Sequence, residues 1–305
     1  MEHIRYRGRF APSPTGPLHF GSLVTALASW LEARTSSGDW LVRIEDLDPL
    51  REPPEATGQI LRSLESHGLL PDEPVRFQSR RHGAYQAAIE QLLLQNKAYR
   101  CGCSRKQLQA NQGHHPFHCR TSPQPPGSSP HAIRFALEDE NSHWPDLLLG
   151  PQQQQVRAEL DDPVILRKEG FYAYQLAVVV DDIDQGITHV VRGSDLLDMT
   201  AQQQQIFRAL GACAPHWLHI PVITNEQGQK LSKQTHAPAL DDTRPSGNLV
   251  QALTALGQTP PPGLEESRVD EVLEWGRTHW QRHAIPLTSR QARGITPGTQ
   301  FPSDR

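Results

Sequence analysis

Apolar residues along this chain recur with two periods, and the alternation between them predicts the order of its elements. Arg5 to Ala11 reads as a strand, stopped by the turn-rich Pro12-Ser13-Pro14-Thr15-Gly16-Pro17. Leu23, Leu27, Trp30 and Leu31 then follow helical spacing behind Gly21-Ser22, with Ser22 as the expected N-cap. Trp40 to Glu45 reads as a second strand, and Pro54 to His67 and Ala84 to Gln95 as amphipathic helices. In the latter, Tyr85, Ala88, Ile89, Leu92 and Leu93 share one face. Strand, helix and strand at these spacings predict parallel pairing in an α/β sheet.

The pattern breaks between Tyr99 and His131, where Cys101, Cys103, Cys119 and the prolines 123, 125, 126 and 130 read as a loop-rich insertion. Gln152 to Gln155 reads as a loop or hairpin tip. Strand-like runs return at Val164–Arg167, Leu176–Asp181, Thr188–Arg192 and Leu218–Ile223, with a helix at Met199–Leu210 between the last two. Beyond Lys233 the chain reads as helical over Gly247–Leu256 and Glu265–His283, then ends in a polar tail. No internal repeat is visible. One α/β unit split by an insertion, with a small helical part after it, is the simplest description.

Composition narrows the setting. The 305 residues are 36% hydrophobic and 21% charged, with a mean hydropathy of −0.56. No run approaches the ~20 apolar residues needed to span a bilayer. Met1 to Arg9 lacks the apolar stretch of a signal peptide. Four cysteines are too few for a disulfide framework at this length. A cytoplasmic protein with no membrane partner is expected. The net charge of −4 hides a segregation. Gln91 to Leu137 holds no carboxylate but carries Lys97, Arg100, Arg105, Lys106, Arg120 and Arg134, a local +6. Gly276 to Phe301 is also free of acids and carries four arginines. Such stretches suit a phosphate-facing surface, although a solvated basic face accounts for them equally well.

Two segments suggest nucleotide chemistry. His19 stands just before a helix and Gly21 permits close approach to that helix's N-terminus, where free N–H groups favour phosphate. Lys230 and Lys233 flank Ser232 in a glycine-led loop, placing two cations where charge develops in nucleotidyl transfer. Together, Leu18-His19-Phe20-Gly21 and Lys230-Leu231-Ser232-Lys233 resemble the two signatures of class I aminoacyl-tRNA synthetases. Ser22 stands where the first signature ends in His, and Gln234 where the second ends in Ser. Arg9-Phe10-Ala11-Pro12-Ser13-Pro14-Thr15-Gly16 and Arg43-Ile44-Glu45-Asp46-Leu47-Asp48 resemble the glutamyl/glutaminyl branch. The likeness runs from about Arg5 to Leu256, and the roughly fifty residues beyond are too few for a full-length member's anticodon-binding region. Gly16 to Ser22 and Leu176 to Asp182 are similar to the short glutamyl-queuosine sub-family. Its members attach glutamate to the queuosine base of tRNA(Asp) instead of to a terminal ribose.

This resemblance implies a Rossmann-like parallel sheet and a division of the chain. Residues 1–98 form the first half of the catalytic domain, 99–162 a zinc-bearing insertion, 163–240 the second half, and 241–305 a helical part with a polar tail. It implies ATP arriving with Mg²⁺ and bound by His19, Gly21, Ser22, Lys230, Leu231, Ser232 and Lys233, with His19, Lys230 and Lys233 catalytic. It also implies L-glutamate bound by Arg9, Phe10, Ala11, Pro12, Ser13, Glu45, Tyr174 and Arg192. Arg9 would take a carboxylate and Glu45 the ammonium, as charge complementarity requires. Tyr172, on the same face of an expected strand, is an alternative to Tyr174, and Arg192 could equally pair with Asp195 or Asp198. Asp181, Asp182 and Asp184 read as an acidic strand end.

Cys101, Cys103 and Cys119 offer three soft ligands, and a tetrahedral structural zinc needs a fourth. In the family that ligand, usually a tyrosine, falls where His115 stands, with His114 and His118 as close competitors; one zinc per chain is implied. Cys213 reads as a small buried residue. The partners implied are ATP, L-glutamate and tRNA(Asp) carrying queuosine, for a monomer. Two alternatives are a shortened glutamyl-tRNA synthetase charging a terminal ribose and a non-catalytic tRNA-binding zinc protein. A pure binder needs none of His19, Lys233, Arg9 and Glu45, so their joint presence counts against the last.

Overall fold

The computed structural model of the chain describes residues 5–111, 118–127, 130–224, 238–288 and 290–291. Strand β1 (Arg7–Phe10) pairs in parallel with β2 (Asp39–Ile44), Arg7 opposite Asp39 and Phe10 opposite Val42. Between them runs α1 (Phe20–Thr35), apolar nearly all round and correspondingly covered on nearly every side. After α2 (Ala56–Ser66), β3 (Arg76–Phe77) adds in parallel to β2, and α3 (His82–Leu94) follows.

Next come β4 (Ala98–Cys101), α4 (Arg105–Ala110), α5 (His118–Thr121), β5 (Ala132–Phe135) and the hairpin β6 (Glu140–Asp146) and β7 (Gly150–Val156). A short α6 (Ala158–Asp161) leads into β8 (Val164–Leu166), which pairs antiparallel with β5, itself antiparallel to β4. Then α7 (Tyr174–Asp184), β9 (His189–Gly193), α8 (Thr200–Ala209) and β10 (His216–Ile220) restore the α/β alternation. β10 pairs in parallel with β9 on one side and with β6 on the other. This sheet and the parallel one of β1, β2 and β3 abut through Thr188, whose N–H donates to the Arg7 carbonyl at 2.9 Å. The strand sequence across the molecule is therefore β3-β2-β1-β9-β10-β6-β7, with β7 antiparallel to β6. Strand β11 (Ile223–Thr224), α9 (Pro245–Ala255), α10 (Val269–His279) and β12 (Arg290–Gln291) complete the chain, β12 pairing with β11.

Helices cover both faces of this sheet, and strand alternation decides what each face buries. Trp40, Val42 and Ile44 of β2 join Leu23, Leu27 and Leu31 of α1 and Leu249, Leu253 and Val272 of α9 and α10. Leu41 points the other way, toward Tyr85 and Ile89 of α3, Leu176 to Val180 of α7 and Phe207 of α8. The parallel α/β class expected from the sequence is the one observed. Among the described residues no helix is long and apolar enough to cross a membrane.

Several local expectations are corrected. Leu176–Asp181 is helical, not a strand. Its five consecutive apolar residues are all buried because α7 packs against α3, α8 and β8, so no polar face reveals a helical period. Tyr172 and Tyr174 consequently share no strand: Tyr174 opens α7, while Tyr172 bridges to Leu166. The N-cap of α1 is His19, not Ser22. Gln152–Gln155 lies inside β7 with alternating exposure, and the turn sits earlier, where the Asp146 carboxylate accepts from the N–H groups of Leu148 and Leu149. Cys213 is exposed, two residues beyond the left-handed Gly211. The helix expected over Glu265–His283 is broken into α10 and flanking single turns.

Leu253, 1% exposed, fills the space between α1 and α10. Leu253→Ala is expected to lower unfolding stability by about 2–5 kcal/mol in urea titrations, the range for a buried leucine that leaves a cavity.

Candidate active site

The site starts from two arginines on one sheet face. β1 and β2 alternate, so Arg9 and Arg43 point away from the apolar core of α1 and toward α7; they are 4% and 0% exposed. Buried guanidinium needs a paired carboxylate, since an uncompensated buried ion costs several kcal/mol. α7 supplies Asp181 and Asp182. Asp182 accepts from Arg9 Nε at 3.1 Å and Nη2 at 3.3 Å, and from Arg43 Nη1 at 2.8 Å. Asp181 accepts from Gln78 at 2.8 Å, Arg81 Nε at 3.0 Å and the Tyr85 hydroxyl at 2.7 Å. Burial alone would raise the Asp182 carboxyl, but Arg9 and then Arg43 outweigh it and hold it below the usual carboxylate range. The acidic run read as a strand end is thus the electrostatic anchor of the site.

Glu45, just past the end of β2, is tied to the preceding loop by its N–H, which donates to the Pro12 carbonyl at 3.0 Å. Its Oε1 lies 3.5 Å from Arg43 Nη2. Burial pushes the Glu45 carboxyl up to about 7, against the pull of Arg43 and then Arg9. This group is short of positive charge.

Beside it opens a cavity of about 650 Å³ at the carboxyl ends of β1, β9 and β10, where ligands of parallel α/β sheets bind. Arg9, Phe10, Ala11, Pro12, Ser13, His19, Gly21, Ser22, Glu45, Tyr174 and Arg192 all line it. Tyr172 does not; it borders a smaller cavity of about 80 Å³ that shares Ser13, Thr15, Glu45 and Tyr174 with the large one. Pro221, Val222 and Ile223 also line the large cavity without having been singled out. The end of a parallel strand just before them was the available signal. Lys230, Leu231, Ser232 and Lys233 lie outside the described residues. Of their neighbours, Ile223 lines the cavity, and Ala239 forms an antiparallel bridge with His19 while the Leu240 N–H donates to the Leu18 carbonyl.

His19 caps α1 by accepting from the Ser22 N–H at its Nδ1 (3.3 Å), with Nε2 3.1 Å from the Ser22 hydroxyl. A β-carbon on Gly21 would sit 3.3 Å from the imidazole, so glycine leaves the ring room to fold over the first turn. The positive end of a sixteen-residue helix therefore faces the cavity.

Arg192 is 4% exposed, and its bonds go to neutral acceptors. They are His219 Nε2 at 2.9 Å, Gln203 Oε1 at 2.7 Å and Thr200 Oγ1 at 2.8 Å. The expected alternative of an ion pair with Asp195 or Asp198 is not what holds it. Burial, the largest influence, pushes its pKa down. The cavity thus presents a carboxylate wanting a cation and a guanidinium wanting an anion.

The sulfurs of Cys101, Cys103 and Cys119 lie within 4.8 Å of one another, and those of Cys103 and Cys119 are 3.3 Å apart. Three thiolates on one tetrahedral zinc stand roughly 3.8 Å apart, so this set fits such an ion. Burial, then Cys119 and Cys101, pushes the Cys103 thiol up to about 12, a crowding that a bound cation relieves. His114 and His115 lie outside the described residues, and of His118 only the backbone is described. The basic window is partly spent internally. Lys97 pairs with Glu138, while Arg120 and Arg134 donate to the carbonyls of Leu137 and Asp162 at 2.6 Å each.

Comparison with known proteins adds the following. Residues 5–274 match the family of class I tRNA synthetases (E and Q), catalytic domain. The chain is 43% identical over 298 residues to a glutamyl-Q tRNA(Asp) synthetase of Vibrio vulnificus (strain CMCP6), covering 96% of this chain and 97% of that one. It is 46% identical over 292 residues to the protein of the same name from Chromobacterium violaceum, covering 94% and 97%. Among solved structures, a glutamate tRNA ligase from Elizabethkingia meningosepticum in complex with its amino acid superposes with a TM-score of 0.78 at 27% identity. The match covers 94% of this chain and 67% of that one.

The Glu45 environment generates a test of the cavity. A carboxyl raised to about 7 is largely protonated at pH 6 and must release its proton to accept an ammonium group. Affinity for L-glutamate is expected to rise up to about tenfold between pH 6 and pH 8, with proton release measurable by calorimetry in two buffers. Glu45→Gln is expected to bind weakly with that slope removed. A slope unchanged by the substitution would assign the proton to another group.

Proposed function

The chain belongs to the class I glutamyl- and glutaminyl-tRNA synthetase family, and from that premise we propose that it activates glutamate with ATP and transfers it to the queuosine base of tRNA(Asp). The observation that carries this reading is the single cavity in which a helix N-terminus capped by His19 faces the oppositely charged Glu45 and Arg192. A zwitterionic amino acid with a side-chain carboxylate satisfies the second pair, and a polyphosphate the first.

In this reading Glu45 holds the α-ammonium. Arg192, whose bonds go to neutral groups, takes the side-chain carboxylate together with Arg9, part of whose charge is already matched by Asp182. Phe10, Ala11, Pro12, Ser13 and Tyr174 form the surrounding wall, and Tyr174 is preferred to Tyr172 because only Tyr174 borders this cavity. The glutamate α-carboxylate attacks the α-phosphate of ATP, pyrophosphate leaves, and a hydroxyl of the acceptor base then displaces AMP. Neither step needs a protein nucleophile; positioning and charge stabilisation supply the acceleration. His19, Gly21 and Ser22 serve the nucleotide by placement. Lys230, Leu231, Ser232 and Lys233 are assigned to it by their motif alone. Mg²⁺ enters on the ATP phosphates. The choice of queuosine over a terminal ribose is supported by relatives matched along 97% of their own length that carry that name.

One experiment tests both halves. Glutamate-dependent ATP–pyrophosphate exchange is expected without tRNA, falling roughly a hundredfold or more in Lys233→Ala as a cation serving the transition state is lost. With tRNA(Asp), label from glutamate should map to an anticodon fragment, and only when queuosine is present. Label on the terminal adenosine would instead identify a shortened glutamyl-tRNA synthetase.

We further propose one structural zinc per chain on Cys101, Cys103 and Cys119, with His115 as fourth ligand. It would fix the junction of β4, the loop after it and α5. Elemental analysis of protein purified without chelator should find about one zinc, lost in Cys103→Ser; a zinc-free wild type overturns the site.

A further inference from the structure

Arg192 is steered by groups that never reach the cavity. His219 stands directly opposite it in the parallel ladder of β9 and β10, and is fully buried. Guanidinium nitrogens only donate, so the 2.9 Å contact from Arg192 Nε requires His219 Nε2 to be an unprotonated acceptor. The ring's proton must then sit on Nδ1, and there Asp146 Oδ2 accepts it at 2.6 Å. Asp146 is itself fixed: it closes the β6–β7 turn by accepting from Leu148 and Leu149 at 3.0 and 2.8 Å and also faces the His219 N–H at 3.2 Å. Neither Asp146 nor His219 lines the cavity.

We propose that Asp146 and His219 are positioning residues that lock Arg192 for carboxylate recognition by fixing the imidazole tautomer. The inference rests on the glutamate reading above. The arrangement solves a specific problem. A carboxylate in direct contact would offset the charge of Arg192, as Asp182 offsets part of that of Arg9, and would occupy N–H groups that a ligand needs. Placing the carboxylate one imidazole away orients the guanidinium through a neutral acceptor. Gln203 and Thr200 hold the other nitrogens, again without a charge. Tyr174 on the cavity wall also hydrogen-bonds Arg192 and is likewise uncharged, so no carboxylate in contact divides the positive charge that Arg192 presents to the cavity. Selectivity for a side-chain carboxylate over an amide follows from that undivided charge.

Asp146→Asn tests this with little change of shape. Its single carbonyl oxygen is claimed by Leu148 and Leu149, so the amide NH₂ turns to His219 Nδ1. The ring must accept there and carry its proton on Nε2, where it opposes Arg192 Nε–H. Exchange kinetics should show the KM for glutamate rising about tenfold or more, with kcat and the KM for ATP within about threefold of wild type. The preference for glutamate over glutamine should fall by a similar factor. Histidine ¹⁵N spectra, assigned with His219→Gln, should show an unprotonated Nε2 in the wild type and a protonated one in Asp146→Asn. Lower thermal stability with an unchanged KM for glutamate would make both residues merely structural and overturn the proposal. So would a wild-type spectrum with a protonated Nε2, whether or not the variant folds. If the wild type shows no glutamate-dependent exchange, the functional reading fails and the named ligand with it, while the spectrum still decides the tautomer.

Discussion

Burying Arg9 and Arg43 on the sheet face toward α7 is the constraint from which the site is built. Each buried ion costs several kcal/mol unless paired, and α7 meets that demand with two consecutive aspartates. Because Asp182 grips β1 and β2 at once, and Asp181 reaches Tyr85 and Arg81, the helix is fixed in position and rotation. Tyr174 opens that helix, so its place on the cavity wall is fixed with it. The network is unevenly shared at its cavity edge. Asp182 has two arginines, whereas Glu45 has only a 3.5 Å contact with Arg43 and is raised to about 7. On the proposed reading, a ligand ammonium completes what the protein leaves incomplete.

The same economy applies across the cavity. Arg192 is oriented by neutral groups, so it has no carboxylate in contact, just as Glu45 has a single guanidinium at 3.5 Å. A protein that only needed stability would have paired both groups, since leaving a charged group buried and partly unmatched is destabilising. Their separation on β2 and β9, with β1 between, spaces the two charges across the cavity floor. The third requirement, a phosphate end, comes from backbone geometry: α1 begins at the mouth, and Gly21 leaves space for the His19 ring over its first turn. On the proposed reading, amino acid and nucleotide meet where sheet charges and helix terminus converge, which is the geometry that adenylate formation needs.

Part of the fold was legible in the sequence, from the strand runs at Arg5–Ala11 and Trp40–Glu45 and from the helical spacing of Leu23, Leu27, Trp30 and Leu31 in an otherwise largely apolar α1. Arg9 to Ser13 and the first signature run from the end of β1 through the connecting turn into the first turn of α1, so linear proximity and spatial proximity coincide there. Legibility failed where burial is complete. Leu176 to Val180 shows no period because every side of α7 is covered, and the three consecutive valines favour a strand when read locally. Mistaking that helix for a strand hid the role of Asp181 and Asp182, whose partners lie about a hundred or more residues away in sequence. Ser22 looked like a cap because serine commonly is one. The imidazole of His19 reaches the same N–H from outside the helix, a geometry that residue type alone does not announce.

The basic window shows how a one-dimensional count misleads. Its +6 came from a stretch without acids, yet Glu138 and Asp162 lie just beyond its edge and fold back onto it. Lys97 is paired with Glu138, while Arg120 and Arg134 bind backbone carbonyls, Arg120 also lying 3.8 Å from the Asp162 carboxylate. Lys106 remains exposed and Arg100 half-exposed. Counterion release scales with the number of phosphates neutralised, so fewer available cations mean a shallower salt dependence than the sequence count suggests. On the proposed reading, any contact of this part of the chain with a tRNA leans less on backbone charge. In that reading more of it falls to the fit of the acceptor base at the cavity mouth, and Glu45 and Tyr174, which border both cavities, would connect amino-acid binding to what enters beside it.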